Sequence, residues 1–217
     1  MLSQVKNSDM TASISFIHNY LNQVTFTNSL GVGVRYYYDR DRCILEKDSN
    51  SGVTLTRYVY GEKLDEPVVM YKNGQAYFYH FDGAGNVVNL TDASGNVAEI
   101  YFYDAFGKPN QVSVVGNSYY FAGRRYYSSI ELYYNRNRFY NPKLGRFIST
   151  APDGYRDGIN FYSYCRNNPV NLNDPYGLDA KSGRGGEKKF EIDFDLDVKI
   201  DLKTRKVSGG GKVEVKW

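Results

Sequence analysis

From Arg35 the chain repeats one hydrophobic pattern: "RYYYDRDRCILEKDSNSG", "RYVYGEKLDEPVVMYKNG", "AYFYHFDGAGNVVNLTDASGN" and "EIYFYDAFGKPN". Each unit alternates aromatic and polar residues, passes through a turn rich in Gly, Asp and Asn, and resumes as a second apolar strand. The leading tyrosines Tyr36, Tyr58, Tyr77 and Tyr101 are 22, 19 and 24 residues apart, a period that predicts stacked β-hairpins. Strand alternation places Tyr36 with Tyr38, and Tyr101 with Tyr103, on one face as an aromatic ladder. Residues 1–34 carry no clean period; "SFIHNYLNQV" reads equally as a short helix or a strand and stays unassigned. From Tyr119 the chain becomes dense in Arg, Asn, Tyr, Pro and Gly. That texture predicts a compact unit of short strands and turns whose arginines stack on aromatics and bond loop carbonyls. After Leu178, "DAKSGRGGEKK" reads as a flexible linker. "FEIDFDLDVKIDLK" then alternates as a long strand with one apolar side, and "KVSGGGKVEVKW" suggests a glycine turn into a second strand. The expected fold is mainly β: an N-terminal segment (1–34), hairpin repeats (35–118), a compact β-rich core (119–178), and a tail of linker plus hairpin (179–217).

Composition narrows the function. With 22 tyrosines, 12 phenylalanines and 21 glycines the chain is β-rich, and helix should be scarce. A net charge of +3 from 27 basic and 24 acidic side chains is too balanced for a nucleic-acid footprint. Cys43 and Cys165, with His18 and His80, offer no zinc-ligand spacing, so free, partly buried thiols are expected and no metal or other cofactor. No apolar run is long enough to span a membrane, and no leader-like segment opens the chain. The 39-residue tail has no His or Cys, and its 10 basic and 8 acidic residues alternate rather than cluster, which points away from catalysis by the tail. Glu191, Asp193, Asp195 and Asp197 diverge along a strand and read as a solvated face rather than a cation site.

Two stretches add specificity. "YFYDAFGKP" resembles the tyrosine-aspartate unit of the RHS/YD-repeat family. "FAGRRYYSSIELYYNRNRFYNPKLGRF", followed by "PDGYRDGINFYSYCRNNPVNLNDPYGL", resembles the RHS repeat-associated core that ends such arrays in polymorphic toxins. The likeness covers roughly residues 30–178. Its motif positions are Gly123, Arg138, Tyr140, Pro142, Gly145, Arg146 and Phe147, then Pro152, Gly154, Asn160, Tyr162, Tyr164, Asn168 and Pro169, and finally Asp174, Pro175, Gly177 and Leu178. Large members coil their repeats into a β-shell around a C-terminal toxin, and the core closes one end.

In several members the core is also an aspartic autoprotease that cuts after "DPxGL", here between Leu178 and Asp179. The resemblance carries one catalytic carboxylate onto Asp174. The second belongs in an "S-x-D-P-x-G" segment, where this chain has "STAPDG" and places Ala151. A shared-proton carboxylate pair needs both members, so the expectation is a structural core defective in self-cleavage, the alternative being an autoprotease releasing residues 179–217. Asp153 is a poor substitute, because two residues along a strand displace a carboxylate by about 6–7 Å; Asp153 and Asp157 instead suit turns ahead of Gly154 and Gly158. The implied partners are an upstream repeat shell, the chain's own tail and an immunity protein. The implied setting is secretion or cell-surface delivery in interbacterial competition.

Overall fold

The computed structural model describes residues 2–6, 13–152, 154, 159–182, 199–201 and 206–208. It divides the chain into two units, Met1–Arg184 and Gly185–Trp217. Ten strands of the first unit form one antiparallel sheet in sequence order: β1 (Leu2–Lys6), β2 (Ser13–His18), β3 (Val24–Ser29), β4 (Val32–Asp39), β5 (Arg42–Asp48), β6 (Thr54–Tyr60), β7 (Pro67–Lys72), β8 (Gln75–Phe81), β9 (Val87–Asp92) and β10 (Val97–Ile100). Every strand pairs with the one before it, so the array is a run of hairpins.

The turns explain the repeat. In "DGAGN", Asp82 Oδ1 accepts from the Ala84 and Asn86 amides, both at 2.9 Å, and Oδ2 accepts from Asn86 Nδ2 at 2.8 Å. Gly85 takes φ +84° with open space where a Cβ would stand, a left-handed conformation that glycine adopts without steric cost. Asp92 of "DASGN" and Asp104 of "DAFGK" accept amides in the same pattern. Alternation then fixes the faces: Tyr36, Tyr58, Met70, Tyr79 and Leu90 are buried, whereas Tyr37, Val59, Tyr71 and Phe78 point out.

Residues 1–34, which the hydrophobic pattern left open, supply three strands and the start of a fourth. "SFIHNYLNQV" resolves as the end of β2 and a tight turn in which Asn19 Oδ1 accepts from the amides of Leu21 and Gln23, both at 2.9 Å. A polar turn inside the stretch breaks the period there.

The smaller sheet is β11 (Arg125–Tyr127), β12 (Leu132–Asn135), β13 (Arg138–Asn141) and β14 (Arg146–Phe147). Its aromatics share cores with the long sheet: Tyr126, Tyr133, Tyr140 and Phe147 pack with Tyr58, Met70, Tyr79 and Leu90, while Tyr127, Leu132 and Tyr134 pack with Phe16, Val24 and Tyr36. Arg125 pins the two layers together. Its guanidinium lies 4.9 Å from the Tyr36 ring centroid and 5.0 Å from that of Tyr119, and Nη1 pairs with buried Glu46 at 2.6 Å. Helical structure among the described residues consists of short 3-10 turns at Phe121–Gly123 and Cys165–Asn167, and no helix there is long and apolar enough to cross a membrane. Cys43 and Cys165 are both buried, and no disulfide joins them.

In the second unit, β17 (Lys199–Asp201) pairs antiparallel with β18 (Lys206–Ser208), Asp201 standing opposite Lys206. The glycine run expected to make the turn lies outside the described residues. The remainder of the expected 190–203 strand, the acidic row Glu191 to Asp197, and the strand after Gly211 lie outside the described residues.

Candidate functional site

The expected cleavage segment is held at the end of the smaller sheet by the turn joining β12 to β13. Four consecutive residues of that turn, Asn135 to Arg138, each bond the carbonyl of the residue 39 positions later. Asn135 Nδ2 donates to Asp174 O at 2.8 Å. Arg136 Nη1 donates to Pro175 O. Asn137 reaches Tyr176 O through its amide at 3.2 Å and Nδ2 at 2.9 Å. Arg138 Nε donates to Gly177 O at 2.7 Å. Arg124 adds a second donor to Pro175 O, and Arg124 and Arg136 both pair with Asp65 in the β6–β7 connection. The "NRNR" turn therefore cradles the backbone of "DPYG", and the arginines tie that cradle to the repeat sheet.

Gly177 permits the close approach. It adopts φ +66°, and a Cβ there would stand 2.4 Å from Asn135 O and 3.0 Å from Arg138 N. Any larger residue would collide with backbone.

Asp174 is 1% exposed. Its Oδ1 accepts the Leu178 amide at 3.0 Å, and its Oδ2 accepts Arg138 Nη2 at 3.1 Å. Burial pushes its carboxyl above the usual carboxylate range, while the Leu178 and Gly177 amides and Arg138 pull the other way. The carboxyl thus touches the peptide group immediately before the expected scissile bond. Beyond that bond the chain turns back: β16 (Lys181–Ser182) pairs with β15 (Leu172–Asn173), so Leu178 and Asp179 sit in the loop of a short hairpin.

Residue 151 approaches the same place through its backbone. Ala151 N donates to Phe161 O at 3.1 Å, and Arg138 Nη1 donates to that same oxygen at 3.2 Å. One carbonyl and one guanidinium therefore separate the residue 151 amide from the Asp174 carboxyl. The side chain at 151 is a methyl group. Asp153 and Asp157 lie outside the described residues. Among the described residues, no group of three or more His, Cys, Asp and Glu side chains is arranged to hold a metal ion.

The other motif residues mostly frame this site. Tyr140 donates to Phe106 O at 2.7 Å and stacks 4.0 Å from Tyr164; Phe147 lies 3.5 Å beneath the Arg138 guanidinium. Gly123 lies against the Asp65 carbonyl and Gly145 against the Phe106 ring. Pro142 and Pro169 are buried. Asn160 caps Tyr162 N at 3.0 Å, and Asn168 accepts from Asn171 at 2.8 Å. Arg146 bridges to Ser163, and Pro152 and Tyr162 are exposed. Motif reading named Arg138 but missed Asn135, Arg136, Asn137, Arg124 and Asp65. A run of four donor-rich side chains was the available signal, since such groups are rarely held together without acceptors to bind.

No family model matches the chain. The tRNA3(Ser)-specific nuclease WapA of Bacillus spizizenii is 38% identical over 152 residues, which is 65% of this chain and 6% of that protein. Double-stranded DNA deaminase toxin A of Burkholderia cenocepacia is 36% identical over 136 residues, 59% of this chain and 10% of that one. In three dimensions the crystal structure of TcdB2-TccC3-TEV matches with a TM-score of 0.63 at 22% identity, covering 81% of this chain and 10% of that chain. The chain resembles RHS-type polymorphic toxins. It spans a tenth or less of these relatives' length, so the comparisons place it as a segment related to RHS-type polymorphic toxins, with the repeat sheet and core expected of that family.

Proposed function

We propose that this RHS segment is the structural closing core of a toxin shell and does not release the chain that follows Leu178, because its processing site has one carboxylate instead of two. The observation that carries this reading is the pairing of Asp174 with the Leu178 amide in a site whose other wall brings Ala151 to Phe161 O. The substrate segment is clamped and one acid is in place, while a methyl group stands where hydrolysis needs a partner to share the proton. An upstream run of repeats is the natural neighbour of the β1 edge. The nuclease and deaminase activities are those of the relatives.

The test is the mass of the purified chain before and after Ala151→Asp. The wild type is expected to remain intact, and the variant to yield a fragment beginning at Asp179. A wild-type fragment starting at Asp179 would favour the second reading, an active autoprotease, for which the Asp174 contact to Leu178 is the supporting geometry. A folded Ala151→Asp chain that stays whole would remove the processing-site reading altogether.

A further inference from the structure

Behind the cradle lies a cavity of about 30 Å3, bordered by Tyr38, Cys43 and Tyr60 of the long sheet and by Arg124, Arg125 and Arg136 of the core. That is room for a water-sized or halide-sized occupant. Charge around it does not balance. The three arginines are 5%, 6% and 9% exposed, and two buried carboxylates answer them. Asp65 pairs with both Arg124 and Arg136, and Glu46 pairs with Arg125. Asp41 also borders the cavity, but it is exposed and accepts the Tyr176 hydroxyl at 3.1 Å, so water screens its charge. One cation is left over in an interior where an uncompensated charge is costly.

The excess falls on Arg124. Burial and the neighbouring Arg136 push it below the usual arginine range, whereas Asp65 holds Arg136 above that range despite its burial. Arg124 Nε is buried and has no hydrogen-bond acceptor among the described residues. The hydroxyls of the wall are already committed: Tyr38 donates to Val24 O at 2.8 Å and Tyr134 to Asn22 O. Tyr60 reaches Cys43 O at 2.9 Å and the Tyr119 hydroxyl at 2.8 Å.

We propose that this cavity is a binding site for a single halide ion, chloride or bromide, held by Arg124 Nε and by the positive potential of the three arginines. A water would satisfy the donor and leave the charge. A sulfate or phosphate would bring four acceptor oxygens to a wall with one buried donor lacking a partner. A halide is spherical and makes no directional demand, and tyrosine rings offer it the positive edge of their quadrupole. The ion neutralises the arginine pair that bonds Pro175 O, and so supports the cradle from behind whether or not the chain is ever cut.

The test uses the intact chain. Crystals grown with sodium bromide as the halide are expected to show an anomalous peak inside the cavity, in contact with Arg124 Nε. In solution, exchanging sodium gluconate for sodium chloride at constant ionic strength should raise Tm by about 3–6 °C once chloride reaches about ten times its Kd, because gluconate is too large to enter. Gln23 also borders the cavity and is 5% exposed. Gln23→Glu supplies the missing negative charge in a side chain of the same shape, so its Tm should no longer rise with chloride. Bromide on the surface alone, as an adventitious ion only, or a water in the cavity without anomalous signal, would overturn the proposal. So would equal Tm values in the two salts, or a chloride response of undiminished size in Gln23→Glu. The bromide peak is read on the unaltered chain and decides the outcome even where the substitution prevents folding.

Discussion

Replacing Gly177 by alanine tests the clamp more severely than removing any one of its hydrogen bonds. The new Cβ would lie 2.4 Å from Asn135 O and 3.0 Å from Arg138 N, and both atoms are backbone of the β12–β13 turn, which cannot swing aside as a side chain end could. Ordinary contact would require the turn to retreat by about 1 Å, enough to pull Asn137 off Tyr176 O and Arg138 Nε off Gly177 O. Two to three bonds at about 1–1.5 kcal/mol each, plus about 1–2 kcal/mol for a non-glycine residue in the left-handed region, give a loss of about 3–6 kcal/mol. For a chain of this size that corresponds to a fall in Tm of roughly 6–24 °C. Gly85→Ala is the control, because Gly85 has φ +84° but nothing within 4 Å of its Cβ position; it should show the backbone strain alone, about 1–2 kcal/mol. Calorimetry or urea unfolding followed by circular dichroism measures both. If Gly177→Ala unfolds no earlier than Gly85→Ala, the close approach does not constrain the fold and the clamp is looser than its geometry states.

Further outcomes are expected. Arg125→Met removes the partner of buried Glu46 and the cation packed on Tyr36 and Tyr119; it should cost about 3–5 kcal/mol in urea unfolding, and adding Glu46→Gln should recover part of that loss, whereas strictly additive losses would speak against a coupled pair. Burial pushes the Cys43 thiol up to about 12, so native protein near pH 8 should react with Ellman's reagent far more slowly than unfolded protein, and rapid labelling of Cys43 in the folded chain would contradict its burial. Asp174 titrates above its unfolded value, so its favourable contribution is complete below the unfolded value and is lost as pH rises through the folded one. The wild type should therefore lose more stability than Asp174→Asn does as the pH rises from about 4, and equal losses would place the carboxyl in an ordinary environment.

The repeat sheet was legible because its information is local. Alternation in β4 to β9 and the Asp-x-x-Gly turns are both written within a few residues, and the faces of Tyr36, Tyr58 and Tyr79 follow from them. β2 and β3 were not legible: a side-chain-built turn at Asn19 to Gln23 interrupts the alternation in the middle of the window that would reveal it. At the site, the positions of Asp174 and Ala151 came from motif likeness, but the cradle did not. Asn135 to Arg138 recognise carbonyl oxygens, which every residue possesses, across 39 positions of chain; nothing in the identity of Pro175 or Tyr176 announces that its oxygen is claimed. The tyrosine-rich strands of the core likewise read as scaffold without saying which layer each ring joins.

The contrast between the two sheets sets an order of events during synthesis. Each hairpin of the long sheet needs only its immediate successor and can close as soon as that strand leaves the ribosome. The "NRNR" cradle, by contrast, stays empty until the chain has been made through Gly177 and has cleared the exit tunnel. Whatever is encoded after Leu178 is thus translated before the core that precedes it can be finished, and a pause or a premature stop anywhere in residues 139–177 would leave a row of completed hairpins with four donors waiting for a backbone that never arrives.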